Sequence, residues 1–302
     1  MATVAAGRTR TFGPGAGPRL MVLPMVAGLL AFAVYPVLYL TVLSFSKSLL
    51  GKPFQAWVGL ANYGKAAHDQ TFLWSLARSA AFALPVTLAE LVAGVAVALL
   101  LRSSLRRGHV VRTLLLLPLM TPPIMVAVAW RLILSPVGGL LNMVLTGAGL
   151  ADQPVSALGS ATWAMSAIGL AEAWQWTPFV VLLTCAALQT QSEEVRHAAL
   201  VDGASEWRAF WSVTLPLLLS ALAAIGLLRM IGAFKLFDLV YALTQGGPGF
   251  STTVGSYLIY RTGFEKFDVG YAVALTMLFG LFVGVVTLPA VLLRDRVLRQ
   301  FG

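Results

Sequence analysis

"EVRHAALVDGASEWRAFWSVTLP", residues 194–216, is a polar run with helical patterning, set between two long apolar blocks. Just ahead of it, Ser192 is a residue type that caps helices, and acidic residues at 193 and 194 suit the positive end of a first turn. Val195, Ala198, Ala199 and Leu200 recur on one side, which predicts a short helix over 193–200. Asp202 and Gly203 break it, because glycine accepts the left-handed conformation that ends many helices. A second helix over 204–211 then presents Trp207, Phe210 and Trp211 as an aromatic ridge, and Pro216 marks where the apolar sequence resumes. Such a helix, tight turn and helix is either an interfacial connector or a knob for a soluble partner. The small side chains of "HAALVDGA", residues 197–204, let another backbone approach closely and favour the partner.

The sequence on either side explains why a polar knob stands out. Of 302 residues, 58% are hydrophobic and 11% charged, too few polar groups to cover a soluble globule. Lipid is therefore the solvent for most of the chain. Six segments have the roughly 20 apolar residues that a membrane-crossing helix needs: 20–45, 79–101, 113–134, 162–189, 213–241 and 269–293. The first is preceded by arginines like a secretory signal, but its apolar run continues far past a signal core and reads as a retained span. The net charge of +9 lies in short clusters between apolar runs, a pattern of basic loops and not of a nucleic-acid-binding face.

Those clusters orient the chain. With the N-terminus inside, the cytoplasmic side collects Arg8, Arg10, Arg19, Arg102, Arg106, Arg107, Arg112, Arg196, Arg208, Arg294, Arg296 and Arg299. The other side receives Lys47, Lys52, Lys65, Arg78, Arg261 and Lys266. Both termini and the opening stretch are thus predicted cytoplasmic, giving an all-α membrane protein with an N-terminal tail over 1–19, a membrane domain over 20–293 and a C-terminal tail over 294–302. Residues 135–160 contain one amphipathic patch, and "QGGPGF", residues 245–250, is a sharp turn after the fifth span.

The opening stretch resembles the cytoplasmic EAA loop of ABC importer permeases, written E-A-A-x3-G-x9-I-x-L-P. Ala198, Ala199, Gly203, Leu215 and Pro216 match at the right spacing; His197 stands for the glutamate and Val213 for the isoleucine. "WVGLANYGKAAHDQTF" (57–72), "AWQWTPF" (173–179), "DGASEW" (202–207), "FKLFDLVYALTQGGPG" (234–249) and "YRTGFEKFDVGYAVAL" (260–275) are similar to the MalF-like permeases of carbohydrate importers. The resemblance implies a type I ABC importer permease fold in the bacterial cytoplasmic (inner) membrane. It implies, as partners, a second homologous permease, two copies of an ATPase that uses ATP and magnesium, and an extracytoplasmic substrate-binding protein. The loop, about 191–215, would be a coupling helix seated in a groove of the ATPase. Gly203 would make its turn, Ala198 and Ala199 its packing surface beside His197, Asp202 and Ala204, and Trp207 and Phe210 its anchor to the permease body. His197 lacks the fixed negative charge of a glutamate, which Glu193 or Glu194, one turn earlier, is placed to replace.

Catalysis finds little support. "GLANYGKA", residues 59–66, fits G-x4-G-K but ends in alanine, without the hydroxyl that would hold magnesium. "DGASEWR" lacks the later aspartates of a phosphatidyltransferase, and His68, His109 and His197 are far apart. Cys185, the single cysteine, forms neither an intrachain disulfide nor a cysteine metal cluster. No metal or cofactor of this chain's own is expected. An ion-coupled transporter is the alternative that Glu90, Glu172, Arg229, Lys235 and Asp238 allow.

Charges inside spans face protein or water. Arg229, Lys235 and Asp238 cluster in the fifth predicted span, where Lys235 and Asp238, three residues apart on a helix, are close enough to pair. They are candidates for a polar wall along a substrate path. Trp174, Gln175, Trp176 and Tyr241 add the hydrogen bonds and aromatic faces that hold sugars. Trp174 and Trp176 point to different sides of one helix, so at most one lines that path. The resemblance implies a carbohydrate, a polyol or a glycerol phosphate, and a phosphorylated substrate would give Arg229 or Lys235 a direct purpose.

Overall fold

A computed structural model describes residues 16–101 and 109–301. Arg8, Arg10, Arg102, Arg106 and Arg107 of the charge argument, and the first part of the N-terminal tail, lie outside the described residues. The described residues open with α1 (Ala16–Leu29) and α2 (Tyr35–Ser44), joined without interruption through a π turn at Leu30–Val34. The turn lies just before Pro36, whose missing N–H and crowding ring disturb the ordinary ladder. A two-stranded antiparallel hairpin follows, β1 (Ser46–Leu49) and β2 (Lys52–Trp57), a departure from the all-α expectation. Gly51, at φ +81, supplies the turn, and the Ser48 hydroxyl accepts from the Phe54 N–H inside it. The ribbon lies outside the apolar segments, where its polar residues carried no period to read.

α3 (Ala61–His68) leads into α4 (Gln70–Leu101), nine residues longer at its start than the predicted span. The cause is Asp69, whose carboxylate accepts from the Thr71 and Phe72 N–H groups. The predicted third span is not one helix. α5 (His109–Met120) and α6 (Pro123–Ile133) meet at 98° across Thr121 and Pro122, because consecutive prolines withhold two N–H donors and force the backbone ahead of them out of helix. α7 (Leu140–Gly147) is the amphipathic patch of the following loop, and α8 (Ala161–Gln189) is the predicted fourth span.

The opening stretch folds as α9 (Glu193–Val201) and α10 (Glu206–Ala209). A π turn at Phe210–Thr214, again just ahead of a proline, joins α10 to α11 (Leu215–Phe234), so that Glu206–Phe234 is one rod of 29 residues. The rod stops earlier than expected. Lys235 closes it, and α12 (Asp238–Leu243) turns aside to bury Leu236, Leu239, Val240 and Leu243 against α4, α6 and α8. The Ser256 hydroxyl donates to the Leu236 carbonyl exposed by the break. No Lys235–Asp238 ion pair forms, since the two residues stand on either side of that break and not on one helix. α13 (Gly255–Tyr260) and α14 (Val269–Phe301) complete the chain, the latter running on as helix through most of the predicted C-terminal tail.

Among the described residues, four helical stretches are long and apolar enough to cross a membrane, Val22–Ser44, Gln70–Leu101, Glu206–Phe234 and Val269–Leu292, and the bent pair makes five if counted as one. α8 has the length but carries Glu172 and Gln175 in its middle. α4 and α8 run side by side so closely that a Cβ on Gly94 would collide with the Val180 side chain. At the hairpin end, α14 is stitched to the first loop: Lys65 pairs with Asp268 at 3.2 Å, and the Tyr271 hydroxyl donates to Asp69 at 2.8 Å.

Candidate functional site

The predicted site residues fall mainly in two places. At the end opposite the hairpin, Ser192 caps α9 by accepting from the Glu194 N–H, and Ser205 caps α10 by accepting from the Arg208 N–H. Between the caps, Gly203 stands at φ +85 with nothing within 4 Å of where its Cβ would be. The Gly203 N–H donates to Leu200 and the Ala204 N–H to Ala199, the two bonds that close a helix through a left-handed glycine. Asp202 occupies the end position of α9 and is exposed; His197 and Ala198 are also exposed, and Ala199 is half-buried.

Trp207 keeps 71% of its surface exposed and sets its ring against those of Phe210 and Trp211. Seating on the rest of the chain comes instead from buried Ala209 and half-buried Phe210. Leu215 and Pro216 lie half-buried at the start of α11. Two residues that sequence reasoning did not single out join the helices: Nη1 of Arg196 donates to both carboxylate oxygens of Glu206, at 2.8 and 2.9 Å. Their opposite charges across a predicted tight turn were the available signal.

The second place lies mid-bundle. Arg229 of α11, 3% exposed, donates through Nε and Nη2 to Glu90 of α4 at 2.7 and 2.9 Å, and through Nη2 to Glu172 of α8 at 3.0 Å. The ring of Trp176 covers the guanidinium, 4.5 Å from its centroid. Arg229 is therefore committed to two carboxylates and holds three helices together. Gln175, the sequence neighbour of Trp176, is buried and donates from Nε2 to the Thr121 carbonyl at the α5–α6 break, while its Oε1 is buried without a hydrogen-bond partner among the described residues. Trp174 points the other way, edge-on to Trp130 and half exposed. Lys235 is exposed at the end of α11 and Asp238 half-buried at the start of α12. Tyr241 belongs to a separate aromatic group with Phe237 and Tyr260. Of the predicted path residues, the structure brings Trp176 and Arg229 into direct contact.

Residues 90–301 match the family model described as "Binding-protein-dependent transport system inner membrane component". The chain belongs to this family. It is similar to the trehalose/maltose transport system permease protein MalF of Thermococcus litoralis, 35% identical over 259 residues that cover 86% of this chain and 87% of that one. It is also similar to the trehalose transport system permease protein SugA of Mycobacterium tuberculosis, 32% identical over 261 residues covering 86% and 82%. The fold matches a crystal structure of a bacterial ABC transporter involved in the import of the acidic polysaccharide alginate, with TM-score 0.80 and 22% identity over 92% of this chain and 95% of that chain. Family membership makes the protein an inner-membrane permease component and bears out its reading as a transport protein and not an enzyme.

Proposed function

We propose that the chain forms half of the translocation pathway of an ATP-driven importer for a sugar or related polyol, together with a second permease of the same family. Two copies of a separate ATPase, which use ATP and magnesium, sit on the cytoplasmic face, and an extracytoplasmic binding protein delivers substrate. The chain spans the membrane six times, the bent α5–α6 pair and α8 included, with both termini and residues 191–215 in the cytoplasm. Relatives that carry trehalose or maltose in their names support a sugar as the cargo.

The observation that carries this reading is the helix, glycine turn and helix whose second member is continuous with a spanning rod ending beyond Arg229. A rigid rod converts displacement at its exposed end into displacement mid-bundle, which is what coupling ATP hydrolysis to an opening pathway requires. His197, Ala198, Ala199, Asp202, Gly203 and Ala204 form the face that meets the ATPase. Trp207, Phe210, Leu215 and Pro216 carry its motion into α11. Trp174, Gln175, Trp176, Arg229, Lys235, Asp238 and Tyr241 are the candidate pathway residues, with Trp176 the foremost because it is half-buried over Arg229.

Gly203→Asp tests the reading. A side chain at φ +85 is strained, and a second charge beside Asp202 alters the docking face. We expect uptake to be lost while the partner chains remain attached in a mild-detergent pull-down analysed by mass spectrometry. Unchanged uptake would remove the coupling role, and an unmutated chain that repeatedly comes down alone would remove the importer.

A further inference from the structure

We infer that Arg196 and Glu206 are positioning residues that fix the angle between α9 and the rod, and that this angle sets how much of the ATPase stroke reaches the pathway. The inference rests on the coupling role proposed for residues 191–215. The two helices meet at the turn over residues 202–205, whose closing bonds at Leu200 and Ala199 hold one point. A joint held at one point still swivels. Arg196 lies in the middle of α9, and Glu206 is the first residue of α10 and hence of the 29-residue rod. Their contact adds a second point, and the bond from Gln191 Nε2 to the Thr214 carbonyl, 3.4 Å, adds a third at the start of α9. Three points make the small helix and the rod one body.

The details fit a fixing contact better than a chance surface pairing. Arg196 is mostly covered, with its side chain 21% exposed against 72% for Glu206. Among the described residues its Nε is buried without a hydrogen-bond partner and both of its hydrogen bonds go to Glu206. A partly covered guanidinium loses little entropy in holding that geometry. Arg196 spends both hydrogen bonds on Glu206, so the pair is suited to orienting the docking face.

The test uses the importer purified with its own partner chains, reading stimulation of ATP hydrolysis by the co-purified binding protein. In parallel, the distance between nitroxide labels at Val201 and Ser212 is measured. For Glu206→Arg we expect an assembled complex, a broadened label distance and stimulation lowered about fivefold, the upper range for an exposed pair. The swap Arg196→Glu with Glu206→Arg restores both. Wild-type stimulation and distance in Glu206→Arg, or a loss that the swap does not repair, overturns the inference. If Glu206→Arg fails to assemble, Glu206→Gln carries the same expectations at about twofold. Gly203→Asp separates the layers: no effect there means the coupling reading has failed, whereas loss there with wild-type behaviour in Glu206→Arg means only the positioning role has failed.

Discussion

Arg229, Glu90 and Glu172 contribute single side chains from three helices, and removing one strands the others. Breaking a buried pair by deleting one partner costs about 3–5 kcal/mol, because a charge is left without compensation, whereas replacing the whole set with neutral groups of similar size costs far less. We expect Arg229→Met to reduce the folded fraction surviving heating, read by size-exclusion chromatography in detergent. The triple change with Glu90→Gln and Glu172→Gln should survive better than Arg229→Met alone. Equal survival of the two would show that the charges are not coupled. Gly94 makes a different demand, for space. Gly94→Val places methyl groups where Val180 already is, an overpacking that costs about 1–3 kcal/mol. Val180→Ala should recover part of that loss in the same assay, and a loss unmoved by Val180→Ala would place the clash elsewhere.

Prolines shape some elements here and leave others whole, as Pro85 and Pro178 do inside unbroken α4 and α8. At Pro36 and Pro216 the helix absorbs the disturbance in a π turn and continues; at Pro122 and Pro123 it cannot, and the chain bends by 98°. The bend leaves the Thr121 carbonyl to Gln175. Gln175→Leu removes this part-buried bond and should therefore destabilise the fold by about 0.5–1.5 kcal/mol, read as a lower thermal midpoint, and an unchanged midpoint would mean that another donor serves Thr121. Hydropathy made most spans legible in the sequence, and cap and glycine chemistry made α9 and its turn legible to within a residue or two. The break after Phe234 was not legible, since "FKLFDLV" contains no glycine or proline. It exists because α12 finds a pocket among helices distant in sequence. Arg229 was visible as an intramembrane charge, but its partners lie 57 and 139 residues away, and only packing could pair them.

At the scale of the whole molecule the arginine clusters predict a direction across the membrane, and it can be checked at both ends. A cysteine at Ser205 should be labelled from the cytoplasm, and one at Gln55, on the exposed face of β2, from the outside of intact cells. The opposite pattern would invert the chain and put the α9–α10 face out of reach of any ATPase. The buried charge set also bears on how the protein is made. Translation delivers Glu90 first, Glu172 next and Arg229 last. A carboxyl group waiting in lipid can be kept neutral by a proton, but a guanidinium cannot, and an isolated arginine at the centre of a helix resists insertion by about 2.5–3.5 kcal/mol. The order in the gene therefore lets the cation enter the bilayer only after both of its acceptors are in place. We expect the segment carrying Arg229 to insert efficiently in nascent chains that retain both acids and poorly in chains with Glu90→Leu and Glu172→Leu, scored by glycosylation of a reporter site beyond α11. For this permease, the birth order of three side chains would then be a part of its folding code.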